Sequence, residues 1–246
     1  MKFFKIKSVG KSLSLYLLFL LTFGCSDFLD EFDPSNLTSG TFYLTAGHAD
    51  GAIAAVYDNT RFIGGGAGIF SVNWQLLEAV TGQSTTQTGQ NSDLNNLYGL
   101  AYDSNTGHIR NWFTGIYKLV ANANLVIQNV PEISMDENQK SKIVAEALFL
   151  RAWAYFYAVR IWGDIPLITL PQTSGSEDFE PNRTPQSEVY DQIVSDLKTA
   201  EASGLPWTDP SGRVSLSAVK SLLAKVYLTM AGHPLNKTEY YSDAAS

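Results

Sequence analysis

The chain has 246 residues, of which 45% are apolar, so it can bury a sizeable hydrophobic core in one domain. The first 24 residues carry four lysines and no acid, and removing them changes the net charge from −7 to −11. A surface that acidic repels phosphates, and no basic patch compensates for it, so nucleic acid is excluded as a partner.

The first 24 residues have the organisation of a lipoprotein signal peptide. Residues 1–11 are basic, and residues 13–23 read LSLYLLFLLTF. This apolar run is too short for a membrane span, which needs about 20 residues, but it suits a signal peptide. Gly24 then precedes Cys25, which is the only cysteine in the chain. A lipoprotein signal peptidase requires a small residue directly before the cysteine. The sequence predicts lipid on Cys25, and an ordinary secretory signal with a coincidental cysteine is the alternative.

The segment that follows the cysteine is acidic. It reads CSDFLDEFDPSNLT and shows no apolar periodicity. We expect residues 25–40 to form a flexible tether, followed by a folded domain over residues 41–246. Acids directly behind a lipidated cysteine are similar to the signal that sends some bacterial lipoproteins to the outer face of the outer membrane.

From residue 41 onward, helical periodicity alternates with Gly- and Pro-rich breaks. One short helix is predicted within residues 41–60, before four glycines between positions 64 and 68, and another at 72–80. Residues 81–107 are rich in Gly, Ser, Thr, Gln and Asn and are predicted to be a long irregular loop. Longer helices are predicted at 109–130, 138–162, 187–203 and 215–231.

The four long helices predict an all-α fold. They form two antiparallel pairs separated by an insertion, so the expected architecture is tetratricopeptide-like helical hairpins with long irregular loops. The helix at 138–162 is so rich in aromatic residues that we expect it to be buried on most sides. No alternating strand pattern is present, apart from a possible short extended piece at 165–170.

Residues 145–168 read AEALFLRAWAYFYAVRIWGDIPLI. This closely resembles the signature of the SusD/RagB family, a buried AEAxFLRAxxYFxLV helix followed by an aromatic-Gly-Asp-x-Pro-Leu turn, with Ala158 in place of the last Leu of the helix. Other segments resemble the family in the same order: CSDFLDEFDP, WFTGIYKLVANANLVIQNV and GRVSLSAVKSLLAKVYLTMAGHPLN. Members are considerably longer, so the chain resembles an N-terminal SusD-like domain (α-superhelical) truncated at its C-terminus.

The resemblance implies a surface-exposed outer-membrane lipoprotein that binds oligosaccharides. It would be anchored in the outer membrane by its lipid and would deliver the glycan to a SusC-like TonB-dependent transporter. The alternative is a helical scaffold lipoprotein that binds protein partners, as many tetratricopeptide-like arrays do. A glycan site needs exposed aromatic rings beside polar side chains, whereas a scaffold needs an apolar or charged concave helix face.

No catalytic or metal-binding motif stands out. The histidines at positions 48, 108 and 233 are far apart and lack metal-ligand spacing, and there is no Gly-x-Ser-x-Gly elbow. The sequence therefore predicts a protein that is not an enzyme and needs no metal or cofactor.

Candidate ligand-binding residues are sought in residues 61–107, because family sites lie on exposed loops. Ring-plus-amide combinations there are Asn73 with Trp74, and Tyr98 and Tyr102 beside Asn91, Asp93 and Asn95. Core packing is the competing interpretation for each ring. The helical Trp112, Trp153 and Trp162 are expected in the core, and Asp164 is expected to cap or brace its turn.

Overall fold

Helices make up the regular secondary structure in the part of the chain that the computed structural model describes, which is residues 42–65, 73–85, 91–173 and 180–245. The predicted signal peptide, Cys25 and the tether lie outside these residues. The helices are α1 Ala46–Asn59, α2 Gln75–Ala79, α3 Ser92–Tyr98, α4 Gly107–Asn129, α5 Glu137–Trp162, α6 Gln186–Glu201, α7 Leu216–Ala231 and α8 Tyr240–Ala244. Short 3-10 turns at Thr60–Ile63 and Val130–Glu132 follow α1 and α4. The prediction of an all-α fold is confirmed.

The long helices begin and end at residues that satisfy their terminal backbone groups. Asp136 accepts a hydrogen bond from Gln139 N at 2.9 Å and so caps the start of α5. Gly163, with φ +72°, ends α5 and donates its N–H to Val159 O. Ser215 caps α7 in the same way as Asp136 caps α5. These caps explain why the predicted boundaries of the long helices lie within a few residues of the observed ones.

Helix α5 is the centre of the structure. It packs against both α4 and α6, and α7 packs against α6. Half of its 26 residues are buried, and many of these are alanines that allow neighbouring helices to approach closely. The prediction that this helix is buried on most sides is confirmed. Its apolar residues have no single preferred face, because helices cover it from several directions.

A buried ion pair joins three helices. Arg151 on α5 donates from Nε and Nη2 to Asp196 on α6, at 2.8 and 2.7 Å. The same guanidinium donates from Nη1 to Asn124 Oδ1 on α4 at 2.7 Å. The side chains of Arg151 and Asp196 are 5% and 3% exposed, so this bidentate pair is shielded from water and fixes the relative positions of α4, α5 and α6.

The segment that follows α5 is held down by side chains from α4 and α5. Tyr155 Oη donates to Ile168 O at 2.8 Å and accepts from Ile168 N at 2.7 Å. Asn124 Nδ2 also donates to Ile168 O, and Arg151 donates to Thr169 O. Ile165 forms an antiparallel β-bridge with Thr184. Side chains of the helix signature therefore bind the backbone of the turn that follows it.

The loop predicted at 81–107 is wrong in part, because residues 92–98 form α3. Asn91 caps this helix by accepting a hydrogen bond from Leu94 N at 3.0 Å. Leu94 and Leu97 are buried, which holds a helix of only seven residues in place. A single apolar pair among polar residues gives too little periodicity to show in the sequence.

The tryptophans differ in burial. Trp112 is fully buried, as predicted. Trp153 and Trp162 are only half-buried and pack against the edge of the core, which corrects the expectation that both lie within it. Trp162 meets the exposed ring of Phe113 edge-on, with centroids 5.5 Å apart. Asp164 braces its turn as predicted, because its Oδ1 accepts a hydrogen bond from Gln186 N at the start of α6.

Candidate functional site

Asn73 forms the base of the candidate site. Its Nδ2 donates to Phe62 O at 2.6 Å, and its Oδ1 accepts from Asn111 Nδ2 at 3.1 Å. Its backbone carbonyl accepts a hydrogen bond from the buried Trp112 Nε1 at 2.6 Å. Asn73 is only 5% exposed, so it supports the site from below. A ligand contact by its side chain stays a prediction, and this placement does not favour it.

Trp74 lies on the surface directly after this buried asparagine. Its side chain is 47% exposed at the first turn of α2, while Leu76 and Ala79 on the same short helix are buried. Its backbone carbonyl accepts a hydrogen bond from Leu77 N. The indole is therefore presented to solvent from an anchored turn, as a stacking platform for a ligand requires.

The second predicted group lies on and after α3. Asn91 is occupied as the helix cap, and Asp93 Oδ2 accepts a hydrogen bond from Gly107 N at 2.8 Å. Tyr98 is half-buried against the core, whereas Tyr102 is 45% exposed. Of the two tyrosines, Tyr102 therefore offers more ring surface to a ligand.

The first turns of α4 join these groups. A Cβ at position 107 would lie 2.5 Å from Asp93 Oδ2, so a larger residue there would displace this carboxylate from its hydrogen bond with the residue 107 N–H. The next residue, His108, is 4% exposed, and its Nε2 lies 3.3 Å from Gln75 Oε1. Burial lowers its pKa below 6.5, with Asp93 acting in the opposite direction, so the ring is neutral near pH 7.

Sequence reasoning missed three residues that hold the site together, namely Gln75, His108 and Asn111. The hydrogen bonds of Asn111 and Gln75 link the Trp74 turn to α4, and the Asp93 contact links α3 to the same turns. The structure thus brings together the elements that carry the predicted residues. The available signal was that His108, one residue before the predicted helix 109–130, stands four residues before the apolar Trp112 and so in line with the buried face of that helix.

The described residues contain neither a candidate metal-ion site nor a helix suited to crossing a membrane. No group of three His, Cys, Asp or Glu side chains is arranged there to hold a metal ion. Among the same residues, no helix combines the length and apolar character needed to cross a membrane.

A family model matches most of the chain. The model, a SusD-like family described as "Starch-binding associating with outer membrane", matches residues 27–228. The chain belongs to the SusD-like family. The SusD-like signature at residues 145–168 corresponds in the structure to most of the buried helix α5 and to the turn that its side chains bind.

Curated and solved SusD-like proteins agree with this assignment. SusD-like protein P2 of Formosa agariphila is 31% identical over 219 residues, which cover 87% of this chain and 42% of that protein. The solved structure of a SusD superfamily protein from Parabacteroides distasonis is 36% identical, with a TM-score of 0.76 over 85% of this chain and 44% of that one. A laminarin-binding SusD-like protein is 27% identical, with a TM-score of 0.71 over 82% and 43% of the two chains. The chain thus spans less than half the length of these relatives.

Proposed function

We propose that this chain belongs to a surface-exposed outer-membrane lipoprotein that binds oligosaccharides and delivers them to a SusC-like TonB-dependent transporter. The observation that carries the proposal is the pair of half-exposed rings, Trp74 and Tyr102, held on braced turns in a SusD-like protein. A structural relative that binds laminarin supports a glycan as the ligand.

The chemistry of such a site is stacking and hydrogen bonding. The apolar C–H face of a sugar ring packs on an aromatic ring, and its hydroxyl groups bond to nearby amides and carboxylates. Trp74 and Tyr102 supply the rings, while Asn91 caps α3 and Asp93 lies in its first turn. Binding of this kind breaks no covalent bond, so the role is capture rather than catalysis.

Membrane attachment is the second part of the proposal. The Gly24–Cys25 pair directly follows the apolar stretch of a signal peptide, so cleavage there would leave the cysteine as the acceptor of lipid. Each buried methylene contributes about 0.8 kcal/mol, and one acyl chain alone is marginal, so the two or three chains of a bacterial lipoprotein give a firm anchor. Labelling cells with an azide-tagged fatty acid would test this, with Cys25→Ser expected to abolish the label.

A helical scaffold for protein partners is the alternative. A groove of about 420 Å³ between α5 and the end of α6 favours it. Its lining is mixed polar and apolar, and includes Glu137, Lys140, Val144, Leu148 and Ala202. A pull-down from the outer-membrane fraction that depends on groove residues, and not on Trp74, would support this reading over the glycan proposal.

Calorimetry with a laminarin-derived oligosaccharide tests the glycan proposal on the full chain. We expect Trp74→Ala to weaken binding about tenfold or more, equivalent to about 1.4 kcal/mol. Trp207→Ala is the matched control, because this residue is 61% exposed but lies on the loop before α7. Equal affinity in the Trp74 variant, or an equal loss in the control, would contradict the assignment.

A further inference from the structure

The charged side chains around the candidate site are mostly acidic. In the described residues 73–85 and 91–113, the acids are Glu78, Asp93 and Asp103, and Arg110 is the only lysine or arginine. With histidine neutral, this region carries a formal charge of −2. The charge at the candidate site therefore has the same sign as that of the whole chain.

Two of these acids are close to the exposed rings in the sequence. Glu78 is exposed and follows Trp74 by four residues, the spacing that places two side chains on the same side of a helix. Asp103 is exposed and directly follows Tyr102, and its Oδ1 accepts a hydrogen bond from Asn105 N at 2.8 Å. Each exposed ring therefore has an exposed carboxylate one or four residues further along the chain.

The neighbouring cationic groups do little to offset these acids. Arg61, on the 3-10 turn that packs against α4, forms an ion pair with Asp58 at 3.1 Å. His108 is buried and neutral near pH 7. Arg110 is exposed on α4 and carries one positive charge against three negative ones. Within the described residues 73–85 and 91–113, Arg110 is the only arginine, so no pair of arginines lies there to receive an acidic sugar.

We propose that the site selects uncharged oligosaccharides and discriminates against those that carry uronic acid carboxylates or sulfate esters. The inference rests on the proposed glycan-binding function and adds the substrate class. A carboxylate or sulfate on a ligand bound to Trp74 or Tyr102 would enter a region whose described charged side chains sum to −2. At low ionic strength this repulsion is only weakly screened, because the Debye length is about 30 Å at 0.01 M, so charge decides between ligands of equal shape.

The test compares two oligosaccharides of equal length, one neutral and derived from laminarin, the other a polyuronate. Calorimetry on the full chain at low ionic strength near pH 7 is expected to show at least about tenfold weaker binding of the polyuronate. Raising the salt to about 0.15 M should narrow the difference, because the repulsion is screened.

A charge-neutralised variant isolates the cause. Glu78→Gln with Asp103→Asn preserves side-chain shape and keeps an acceptor for Asn105 N, and it should strengthen polyuronate binding several-fold while neutral binding stays unchanged. The control is Glu132→Gln with Glu188→Gln, which removes two exposed carboxylates on the turn after α4 and on α6. The control pair should change neither affinity.

The outcomes separate this inference from the function on which it rests. Neutral binding that depends on Trp74, with the polyuronate bound as tightly or more tightly, overturns the charge selection and leaves glycan binding in place. An equal gain in the control variant also overturns it, because a general change in net charge then accounts for the effect. Absence of binding to both oligosaccharides by a folded chain overturns the glycan proposal and this inference together.

Discussion

Replacing Arg151 with methionine is expected to destabilise the fold severely. Methionine retains much of the side-chain volume but removes every hydrogen bond of the guanidinium. Asp196 would keep only the contact from Gln192 Nε2, at 2.7 Å, in a site where its side chain is 3% exposed. Asn124 Oδ1 and Thr169 O would each lose a charged donor as well.

The structure sets the scale of this loss. Removing one partner of a buried ion pair costs about 3–5 kcal/mol, because the other charge is left in an environment of low polarity. A charged donor lost to Asn124 or Thr169 is worth about 1.5–3 kcal/mol in isolation, although losses within one network do not add. We therefore expect Arg151→Met to lower the free energy of unfolding by about 3–5 kcal/mol, a large part of the 5–15 kcal/mol typical of a domain.

Urea unfolding followed by circular dichroism measures this effect. The control is Arg61→Met, since the ion pair of Arg61 with Asp58 is exposed and its loss should cost less than about 1 kcal/mol. The double variant Arg151→Met with Asp196→Leu should recover stability relative to Arg151→Met alone, because it removes the unpaired charge. Equal losses in the Arg151 and Arg61 variants, or strictly additive losses in the double variant, would refute the reasoning.

Three further changes test other contacts. Gly115→Ala should lower the free energy of unfolding in urea by about 1–3 kcal/mol, because the new Cβ would overlap Phe62 Cβ. Helix propensity alone predicts a gain in stability, and such a gain would contradict the packing. Tyr155→Phe should cost about 1–3 kcal/mol and raise amide exchange at Ile168, and unchanged exchange would count against the hydrogen-bonded turn. Burial raises the pKa of Glu146 above 4.5 despite its arginine partner. The stability that Glu146 contributes is therefore fully present below the pKa of the unfolded state, and it is lost as the pH rises through the pKa of the folded state. The stability of the wild type relative to Glu146→Gln should therefore fall with rising pH, and a flat or rising difference would contradict this.

The long helices could be predicted because their periodicity and their stop signals agree. Pro131, Gly163 and Gly232 stand at or next to the ends of observed helices, and the buried residues between them repeat at helical spacing. The short α3 could not be predicted, because its stability comes from burying Leu94 and Leu97 against elements elsewhere in the chain. Hydrophobic periodicity is a local signal, and a seven-residue helix is too short to show a clear one.

The sequence assigns the candidate residues to the stretch 61–107, but it does not show which of them are buried. Asn73 and Trp74 are adjacent in sequence, yet one is buried and the other is half-exposed. What separates them is a set of partners 11, 38 and 39 residues away, at Phe62, Asn111 and Trp112. The sequence shows that Asn73 and Trp74 are adjacent, but only the tertiary contacts determine which side chain is buried and which is exposed to solvent.

Helix α4 connects the family signature with the candidate site. Its first turns carry His108 and Asn111, which link it to the Trp74 turn, and its later turns carry Asn124, which bonds to Arg151 of the signature helix. At about 1.5 Å per residue, the 23 residues of α4 form a rod of roughly 35 Å. Buried residues from His108 to Val126 hold this rod against the core along its length. In the proposed glycan site, a ligand that stacks on rings held in this way would lose little affinity to ordering the protein.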